Sequence, residues 1–234
     1  LTVTDVNGNS STCTTTITVE DNVAPNALCQ NITVQLDNNG NASITPAHVN
    51  DGSSDACGVA GLTLDITTFN CSNVNGNTVV LTVTDVNGNS STCSANVTVE
   101  DNVAPIALCQ NITLQLDANG AGTATTISVN NGSSDNCAIA TMSLSQSSFG
   151  CLEVGANQEV LTVTDVNGNS SSCSTTITVV DNVAPSAICQ NLTVQLDNFG
   201  TASITPSQID NGSSDACGVA SLTLNMNTFT CANV

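Results

Sequence analysis

The chain of 234 residues contains no lysine, arginine, tryptophan or tyrosine, and it has a single histidine. Without cationic side chains it cannot neutralise phosphate groups, which excludes nucleic-acid binding. Its net charge of −19 causes repulsion from anionic membrane surfaces and disfavours binding to them. No apolar run approaches the roughly 20 residues of a membrane-inserted helix. A disordered acidic tail is excluded as well, because 40% of the residues are hydrophobic and 8% are charged. What remains is a Thr-, Ser-, Asn- and Val-rich composition typical of β-structure.

Twelve cysteines are spread evenly along the chain. An even number of regularly spaced cysteines indicates disulfides, and therefore secretion into an oxidising compartment. A zinc site is the alternative, but no Cys-x-x-Cys pair is present and no histidine accompanies the cysteines. The sequence therefore predicts an extracellular protein with disulfide bonds.

The sequence repeats with a period of 80 residues, without insertion or deletion. Leu-Thr-Val-Thr-Asp-Val-Asn-Gly-Asn-Ser-Ser begins at Leu1, Leu81 and Leu161, and Asp-Asn-Val-Ala-Pro follows each time at Asp21, Asp101 and Asp181. Because proline cannot donate to a β-ladder, we place each boundary before the Val-Ala-Pro segment. The predicted domains are the end of one repeat (1–22), two complete repeats (23–102 and 103–182) and an incomplete repeat (183–234). We therefore expect the sequence to be part of a longer repeat array.

Within each repeat, apolar and polar residues alternate with the period of a β-strand. Ile32, Val34 and Leu36 show this pattern, and Asn87-Gly88 between two such runs indicates a tight hairpin. No stretch has the periodicity of an α-helix. The sequence predicts an all-β protein of tandem immunoglobulin-like β-sandwich domains, with six or seven short strands in each 80-residue repeat.

The repeated motifs resemble those of hyalin-repeat (HYR) domains, which are immunoglobulin-like. The motifs are Asp-Asn-Val-Ala-Pro-x-Ala-x-Cys-Gln-Asn-Ile-Thr-Val from Asp21, Gly-Ser-Ser-Asp-x-Cys from Gly52, and the Leu81 motif with its cysteine at Cys93. They are most similar to the tandem form in very large bacterial surface proteins, including the mobile adhesins of gliding bacteria. This resemblance implies an extracellular adhesin or filament at the cell surface, exported by the type IX route.

An immunoglobulin-like order of strands, as the resemblance implies, places the first and last strands of a domain next to each other. Cys29 then lies on the first strand and Cys93 on the last, which favours a disulfide between them and leaves Cys57 and Cys71 to close a local loop. The two other connectivities of four cysteines stay open. Repeated along the chain, the expected pairs are Cys29–Cys93, Cys57–Cys71, Cys109–Cys173, Cys137–Cys151 and Cys217–Cys231.

Calcium is the candidate cofactor. The motif Asp-x-Asn-x-Asn presents oxygen ligands at alternate positions of a turn, and the same end of the sandwich would gather the aspartates before the first strand and after the second. Without lysine or arginine, these carboxylates would repel one another unless a cation joined them. Ordinary turn formation by Asp and Asn-Gly is the alternative, and it stays open. The candidate ligands are Asp21, Asp55, Asp85, Asn87, Asn89, Asp101, Asp135, Asp165, Asn167 and Asn169.

The sequence favours a structural and adhesive function over two others. We expect a stalk or filament segment of a very long secreted cell-surface protein, which transmits tension and whose partners are neighbouring repeats or other copies of the filament. An array of glycan-binding modules is the alternative, although tryptophan and tyrosine, which stack on sugars, are absent. We do not expect an enzyme or catalytic residues: there is no lysine, and the repeat places Ser128 and Gln208 at the position of His48.

Overall fold

The computed structural model describes all residues from 1 to 234, and the protein is all-β apart from short helical turns. The chain forms two compact units, Leu1–Asn102 and Val103–Val234. The division between the units falls after Asn102, where the sequence also predicts a boundary; the boundaries after Asn22 and Asn182 stay predictions. No helix of the structure combines the length and the apolarity that crossing a bilayer requires.

The first unit contains eight strands and one α-helix. In chain order they are β1 (Thr2–Thr4), β2 (Ser10–Thr12), β3 (Ile32–Gln35), β4 (Asn41–Ser43), α1 (Pro46–Val49), β5 (Val59–Leu64), β6 (Thr68–Asn70), β7 (Asn75–Asp85) and β8 (Ser90–Glu100). Strands β5, β7, β8 and β3 form a four-stranded sheet in that order, β4 pairs with β6, and β1 pairs with β2. Each pair is antiparallel except β3 and β8, which are parallel.

The long hairpin of β7 and β8 is the main element of the first unit. Its strands are paired from Thr84 and Ser90 at the turn to Asn75 and Val99 at the open end. The predicted Asn87-Gly88 turn is confirmed, with Gly88 at a φ of 97°, a conformation that side chains disfavour. Alternate residues of both strands are buried, which is the pattern of a sheet with one face in the core.

The hydrophobic core lies between the four-stranded sheet and the smaller β4–β6 sheet. Its residues come from the hairpin, from β6 and from the segments around β3, β4 and α1: Leu36, Ile44, Val49, Phe69, Val79, Leu81, Val83, Ala95, Val97 and Val99. This is a β-sandwich, as the sequence predicts. The sequence does not predict α1, because one helical turn is too short to show a helical period.

The second unit has the same arrangement of sheets. Its elements are β9 (Ile112–Gln115), β10 (Gly122–Thr123), α2 (Thr126–Val129), β11 (Ile139–Leu144), β12 (Ser148–Phe149), β13 (Gly155–Asp165), β14 (Ser170–Val180), β15 (Thr201–Ser203), α3 (Pro206–Ile209) and β16 (Thr228–Thr230). The four-stranded sheet has the order β11, β13, β14, β9, with β14 and β9 parallel, while β10 pairs with β12 and β15 with β16. Its core joins Phe149 of β12 to Leu161 and Ile177 of the large sheet. Each range predicted as a complete repeat contains six strands, β3 to β8 and β9 to β14.

Eight of the twelve cysteines are disulfide-bonded. Cys29 is joined to Cys93 and Cys109 to Cys173, with Cα atoms 5.8 and 5.9 Å apart. These are the pairs expected between the first and last strands. In the first unit, Cys29 precedes β3 and Cys93 lies on β8, and these two strands are hydrogen-bonded neighbours.

The local pairs expected from the sequence are wrong. Cys57 is free and exposed, as is Cys231. Cys151 is bonded to Cys217, with their Cα atoms 5.0 Å apart, and neither makes the pair expected for it. The incorrect pairs are Cys57–Cys71, Cys137–Cys151 and Cys217–Cys231.

The length of β7 explains why Cys57 and Cys71 cannot pair. Val59, two residues after Cys57, is paired with Asp85 at one end of β7. Cys71 is followed four residues later by Asn75, which begins β7 at its other end. An eleven-residue strand spans about 34 Å, and disulfide-bonded Cα atoms lie no more than about 7 Å apart. We call the end of the sandwich at Asp85 the entry end and the end at Asn75 the exit end.

The Cys151–Cys217 disulfide therefore connects two predicted repeats. Cys151 lies four residues before β13, which begins at Gly155 opposite Val179, so it is at the exit end of the repeat 103–182. Cys217 belongs to the range 183–234. In sequence, its disulfide loop overlaps the Cys109–Cys173 loop.

Replacing both Cys109 and Cys173 with alanine is expected to lower the free energy of unfolding of the second unit by about 2–4 kcal/mol. The variant's unfolded chain regains the freedom of a loop whose ends are 64 residues apart. Urea unfolding measures this change in free energy. It is followed by far-ultraviolet circular dichroism, because the chain has no tryptophan for fluorescence. Replacing Cys13 and Cys189, which are free and exposed, with serine is the control and leaves stability unchanged. A double-alanine variant as stable as this control would contradict the prediction.

Candidate functional site

The turn between β7 and β8 is built around the carboxylate of Asp85. Its Oδ1 atom accepts hydrogen bonds from the backbone N–H groups of Asn87 at 2.9 Å and Asn89 at 2.8 Å. Its Oδ2 atom accepts one from the side-chain amide of Asn89, also at 2.8 Å. Asn87 therefore contributes its backbone to the turn, whereas Asn89 contributes its backbone and its side chain.

The turn after β13 repeats this geometry at another predicted site. The Oδ1 atom of Asp165 accepts from the backbone N–H groups of Asn167 and Asn169, and its Oδ2 atom accepts from the amide of Asn169 at 2.8 Å. Thus the Asp-x-Asn-x-Asn motif forms a hydrogen-bonded turn, which was the structural alternative to a calcium loop. Asp85 and Asp165 are nevertheless buried, each with 2% of its surface exposed.

Burial and hydrogen bonding act on the Asp85 carboxyl in opposite directions. Burial raises its pKa, but the hydrogen bonds that Asn89 and Asn87 donate outweigh this effect, and the pKa lies below its ordinary value. The carboxylate therefore stabilises the fold at pH values above the pKa of the unfolded chain, about 4. This contribution is lost as the pH falls through the lower folded-state pKa.

Three groups meet at the entry end of the first unit. One carboxylate oxygen from each of Asp21 and Asp55 and the sulfur of Cys57 lie within 4.8 Å of one another. The side-chain amide of Asn89 donates to the backbone carbonyl of Asp21 at 3.0 Å, which holds the entering chain against the hairpin turn. The structure thus brings Asp21, Asp55 and the Asp85 turn to one end of the sandwich, as the sequence predicts.

The loop hydrogen bonds of this cluster use the Oδ1 atom of each carboxylate. Asp55 Oδ1 accepts from the backbone N–H groups of Cys57 and Gly58 at 2.8 and 3.1 Å. Asp21 Oδ1 accepts from the backbone N–H of Val23 at 3.0 Å. The pKa of the Cys57 thiol is raised. The largest cause is its hydrogen bond to the Asp21 carboxylate; the negative charge of Asp21, the burial of the thiol and the charges of Asp55 and Asp85 follow. Cys57 is not among the ligands predicted from the sequence, because its expected role was a disulfide with Cys71.

The second unit has an equivalent cluster, and its residues are not among the ligands predicted from the sequence. One oxygen each of Asp181 and Asp215 and the sulfur of Cys217 lie within 4.8 Å of one another. Because Cys217 is disulfide-bonded, its sulfur is neutral and the charge comes from the two carboxylates. The 80-residue period could have indicated this cluster, since Asp181 and Asp215 occupy the repeat positions of Asp21 and Asp55.

The remaining predicted ligands are Asp135 and Asp101. In the second unit, Asp135 and Asp165 each offer an oxygen, and these atoms lie within 4.8 Å of one another. Asp135 Oδ2 accepts from the backbone N–H groups of Cys137 and Ala138 at 2.8 and 3.1 Å, whereas its Oδ1 atom is buried without a hydrogen-bond partner. Asp101 lies in the first unit directly after β8 and is buried.

Replacing Asn89 with alanine is expected to destabilise the first unit by about 1–2 kcal/mol, because it removes the amide that links the hairpin turn to the entering chain. Thermal unfolding followed by circular dichroism measures the effect. Asn9→Ala is the matched control: the Asn9 amide donates to Asp5 at 2.9 Å within the exposed β1–β2 hairpin. The prediction fails if both variants unfold like the unmodified chain.

Comparisons with known proteins give similarity at the level of structure alone. No protein-family model matches the chain, and no curated protein matches it by sequence. Among solved structures, protocadherin gamma B7 extracellular cadherin domains 1–4 align with 15% identity over 77% of this chain and 57% of that chain, with a TM-score of 0.33. Drosophila N-cadherin EC1–4 aligns with 11% identity over 68% and 50%, with a TM-score of 0.38.

A third similar structure is mouse cadherin-23 EC22–24, at 14% identity over 68% of this chain and 65% of that chain, with a TM-score of 0.34. The chain spans less than two thirds of the length of each of these three structures. All three TM-scores are below 0.5, so the likeness assigns neither a family nor a function to this chain.

Proposed function

We propose that this chain is a structural segment of a secreted, cell-surface adhesin array of the HYR type, in which tandem β-sandwich domains transmit tension without enzymatic activity. Disulfide bonds at eight of the twelve cysteines support an extracellular location, because cytosolic thiols are kept reduced. The absence of lysine and arginine removes every cleavage site for trypsin-like proteases, which suits material exposed outside the cell. The motif resemblance extends the proposal to the mobile adhesins of gliding bacteria and to type IX export.

The observation that carries the proposal is the position of the first-to-last disulfide. Cys109 lies just before β9, where the chain enters the repeat, and Cys173 lies on β14, from which the chain leaves it. A pull on the two ends of this repeat therefore reaches the disulfide before it reaches the core. The parallel β9–β14 pair lies beside the disulfide, and a pull along the chain loads its hydrogen bonds together in shear.

The disulfide limits how far one repeat can lengthen. Of each 80-residue period it bypasses 64 residues, which leaves 16 in the path of tension. At most about 3.5 Å per residue, these 16 residues span roughly 56 Å, whereas 80 residues span roughly 280 Å. A folded domain of this kind is about 35–40 Å long. Unfolding an oxidised repeat therefore adds about 20 Å, and unfolding a reduced one adds more than 200 Å.

Stretching single chains between handles tests this directly. Under oxidising conditions, we expect no lengthening step longer than about 20 Å from the repeat 103–182, because the Cys109–Cys173 disulfide holds most of it out of the path of tension. Reducing all the disulfides of the chain is expected to give a step of more than about 200 Å, because reduction also opens the Cys151–Cys217 bond, which would otherwise keep residues 152–216 out of the path of tension. Replacing Cys13 and Cys189, which are free, with serine should change nothing. Steps of that length from the unmodified oxidised chain would rule out a tension-transmitting role.

We further propose that calcium binds at the entry ends of the domains. The supporting observation is the buried Oδ1 atom of Asp135, which has no hydrogen-bond partner and lies in a pair of carboxylates with Asp165. A buried anionic oxygen without a donor is costly, and the chain has no lysine or arginine to compensate it. Calcium takes carboxylate, amide and backbone oxygens, which is the donor set present here. Asp55 and Asp215 occupy the repeat positions of Asp135, and each lies close to another carboxylate, Asp21 and Asp181 respectively.

Calcium titration of the chelator-treated chain by calorimetry, together with its melting temperature, tests this proposal. We expect calcium to raise the melting temperature of the second unit and magnesium to do so less, because the larger ion accepts irregular oxygen cages. Asp135→Asn keeps the acceptor geometry but removes the charge, and it should abolish the effect. Asp117→Asn is the control, because Asp117 makes the same type of turn hydrogen bonds at an exposed position outside the pair. A melting temperature unchanged by calcium or chelator would show that these aspartates only form turns.

A further inference from the structure

The two disulfide loops of the second unit overlap in sequence. One loop runs from Cys109 to Cys173 and the other from Cys151 to Cys217. They share the segment from Cys151 to Cys173, which contains all of β13 and the start of β14. A single break of the backbone anywhere between Cys109 and Cys217 therefore lies inside at least one loop, and a disulfide still joins the two pieces.

The segment that follows β14 lies outside the loop that closes the sandwich. We call residues 181–188 the linker; no strand or helix lies within it. Asn182 and Ala184 of the linker are exposed, as Asn102 and Ala104 are at the same positions one repeat earlier. Proteases cut exposed, irregular segments of folded proteins most readily. The linker is therefore the expected position of a cut, and of these two disulfide loops only the second encloses it.

The Cys151–Cys217 bond also gives a pull on the chain a route around the linker. A pull that arrives at Cys109 crosses its disulfide to Cys173 on β14. From Cys173 the backbone leads back through the hairpin turn and along β13 to Cys151, 22 residues away, and the second disulfide then leads to Cys217. The forward route from Cys173 to Cys217 contains the linker and is 44 residues long. The shorter covalent route thus avoids the linker.

Strand β13, which forms most of this route, is a central strand of its sheet. It pairs with β14 on one side, from Gly155 opposite Val179 to Thr164 opposite Ser170, and with β11 on the other side. Its eleven residues already span about 34 Å, close to their limit of about 39 Å at full extension. A pull along β13 therefore acts on a nearly taut strand that is hydrogen-bonded along both edges.

We propose that the overlapping disulfides make this chain tolerant of cleavage: after a cut in the linker it stays one covalent molecule and still transmits a pull, along β13 and through Cys151–Cys217. This property rests on the proposed tension-transmitting function, to which it adds a way for the exposed array to survive proteases. The cut itself adds one water molecule across one peptide bond and leaves both disulfides unchanged.

Because the chain has no lysine or arginine, one introduced lysine creates its only trypsin site. Asn182→Lys places that site in the linker. The free thiols are blocked by alkylation, and the chain is digested and then denatured without reductant. We expect one species, heavier than the uncut chain by one water molecule, which reductant separates into residues 1–182 and 183–234. Thr15→Lys is the control, because this exposed position precedes every disulfide of the chain, so digestion should release residues 1–15 without reductant.

Removing the second disulfide shows which bond holds the cut chain together. Asn182→Lys combined with Cys151→Ser and Cys217→Ser should fall into two fragments on digestion without reductant. Ala118→Lys in the same serine background is the matched control. Position 118 is exposed and lies within the remaining disulfide loop of the second unit, so this cut chain should stay joined. Circular dichroism checks that each variant is folded before digestion.

Stretching the Asn182→Lys chain by its ends tests whether the cut molecule carries load. Trypsin is added under oxidising conditions to chains held at constant force. We expect the tethers to survive and to reach the same full length as before the cut, because the linker is not on the shorter covalent route. Adding reductant should then break every cut tether and leave uncut tethers intact.

Three results would overturn the proposal. The first is release of residues 183–234 from the cut Asn182→Lys chain without reductant. The second is loss of the tethers when trypsin is added under oxidising conditions. The third is an Asn182→Lys chain that trypsin leaves uncut while it cleaves Thr15→Lys, which would mean that the linker is not accessible. The digestion involves neither force nor calcium, so its failure is distinct from the long oxidised steps that would rule out the proposed function.

Discussion

The pairing of β7 with β8, and of β13 with β14, is the constraint on which each sandwich depends. Each of these four strands has eleven residues, and their inward side chains supply most of the buried aliphatic residues. Burying each such side chain contributes about 1.5–3 kcal/mol. The same length separates the entry end from the exit end by about 34 Å. Cysteines at opposite ends of one sandwich are therefore available to neighbouring domains and not to each other.

A chain without lysine or arginine must stabilise its carboxylates by other means. Hydrogen bonds do this in the turns. Burial raises the pKa of Asp85 and Asp165, but the side-chain amides of Asn89 and Asn169 and nearby backbone N–H groups lower it by more, and backbone N–H groups lower the pKa of Asp117. The pairs at the entry ends are different, because two carboxylates approach within 4.8 Å. Hydrogen bonds satisfy part of this charge, and a bound cation would satisfy the rest. The charge problem and the proposed calcium sites thus have one physical origin.

The two kinds of disulfide have complementary mechanical effects. Cys29–Cys93 and Cys109–Cys173 each close one sandwich, so that in the proposed array a pull would load only a short stretch of chain. Cys151–Cys217 crosses a predicted boundary between repeats and adds a second covalent connection there. The first kind could be predicted from the sequence, because neighbouring first and last strands follow from the fold class. The second could not, because its partners belong to different repeats and meet only where two domains pack.

One segment shows what the sequence by itself determined about this protein. Residues 1–11 and 81–91 are identical, and both form the same turn: Asp5 and Asp85 each accept hydrogen bonds at 2.9 and 2.8 Å from the backbone N–H groups two and four residues later. This turn needs only local hydrogen bonds and a glycine at positive φ, so it forms wherever the sequence occurs. The alternation of apolar and polar residues along each strand is likewise encoded in short stretches of sequence, and it indicates an all-β fold.

Long-range packing, in contrast, was decided only by the tertiary structure. Leu81 and Val83 are fully buried because the β7–β8 hairpin has β5 and β3 as its neighbours in the large sheet and faces the smaller β4–β6 sheet across the core. The entry-end clusters and the Cys151–Cys217 bond depend on the same long-range packing, which no local pattern encodes.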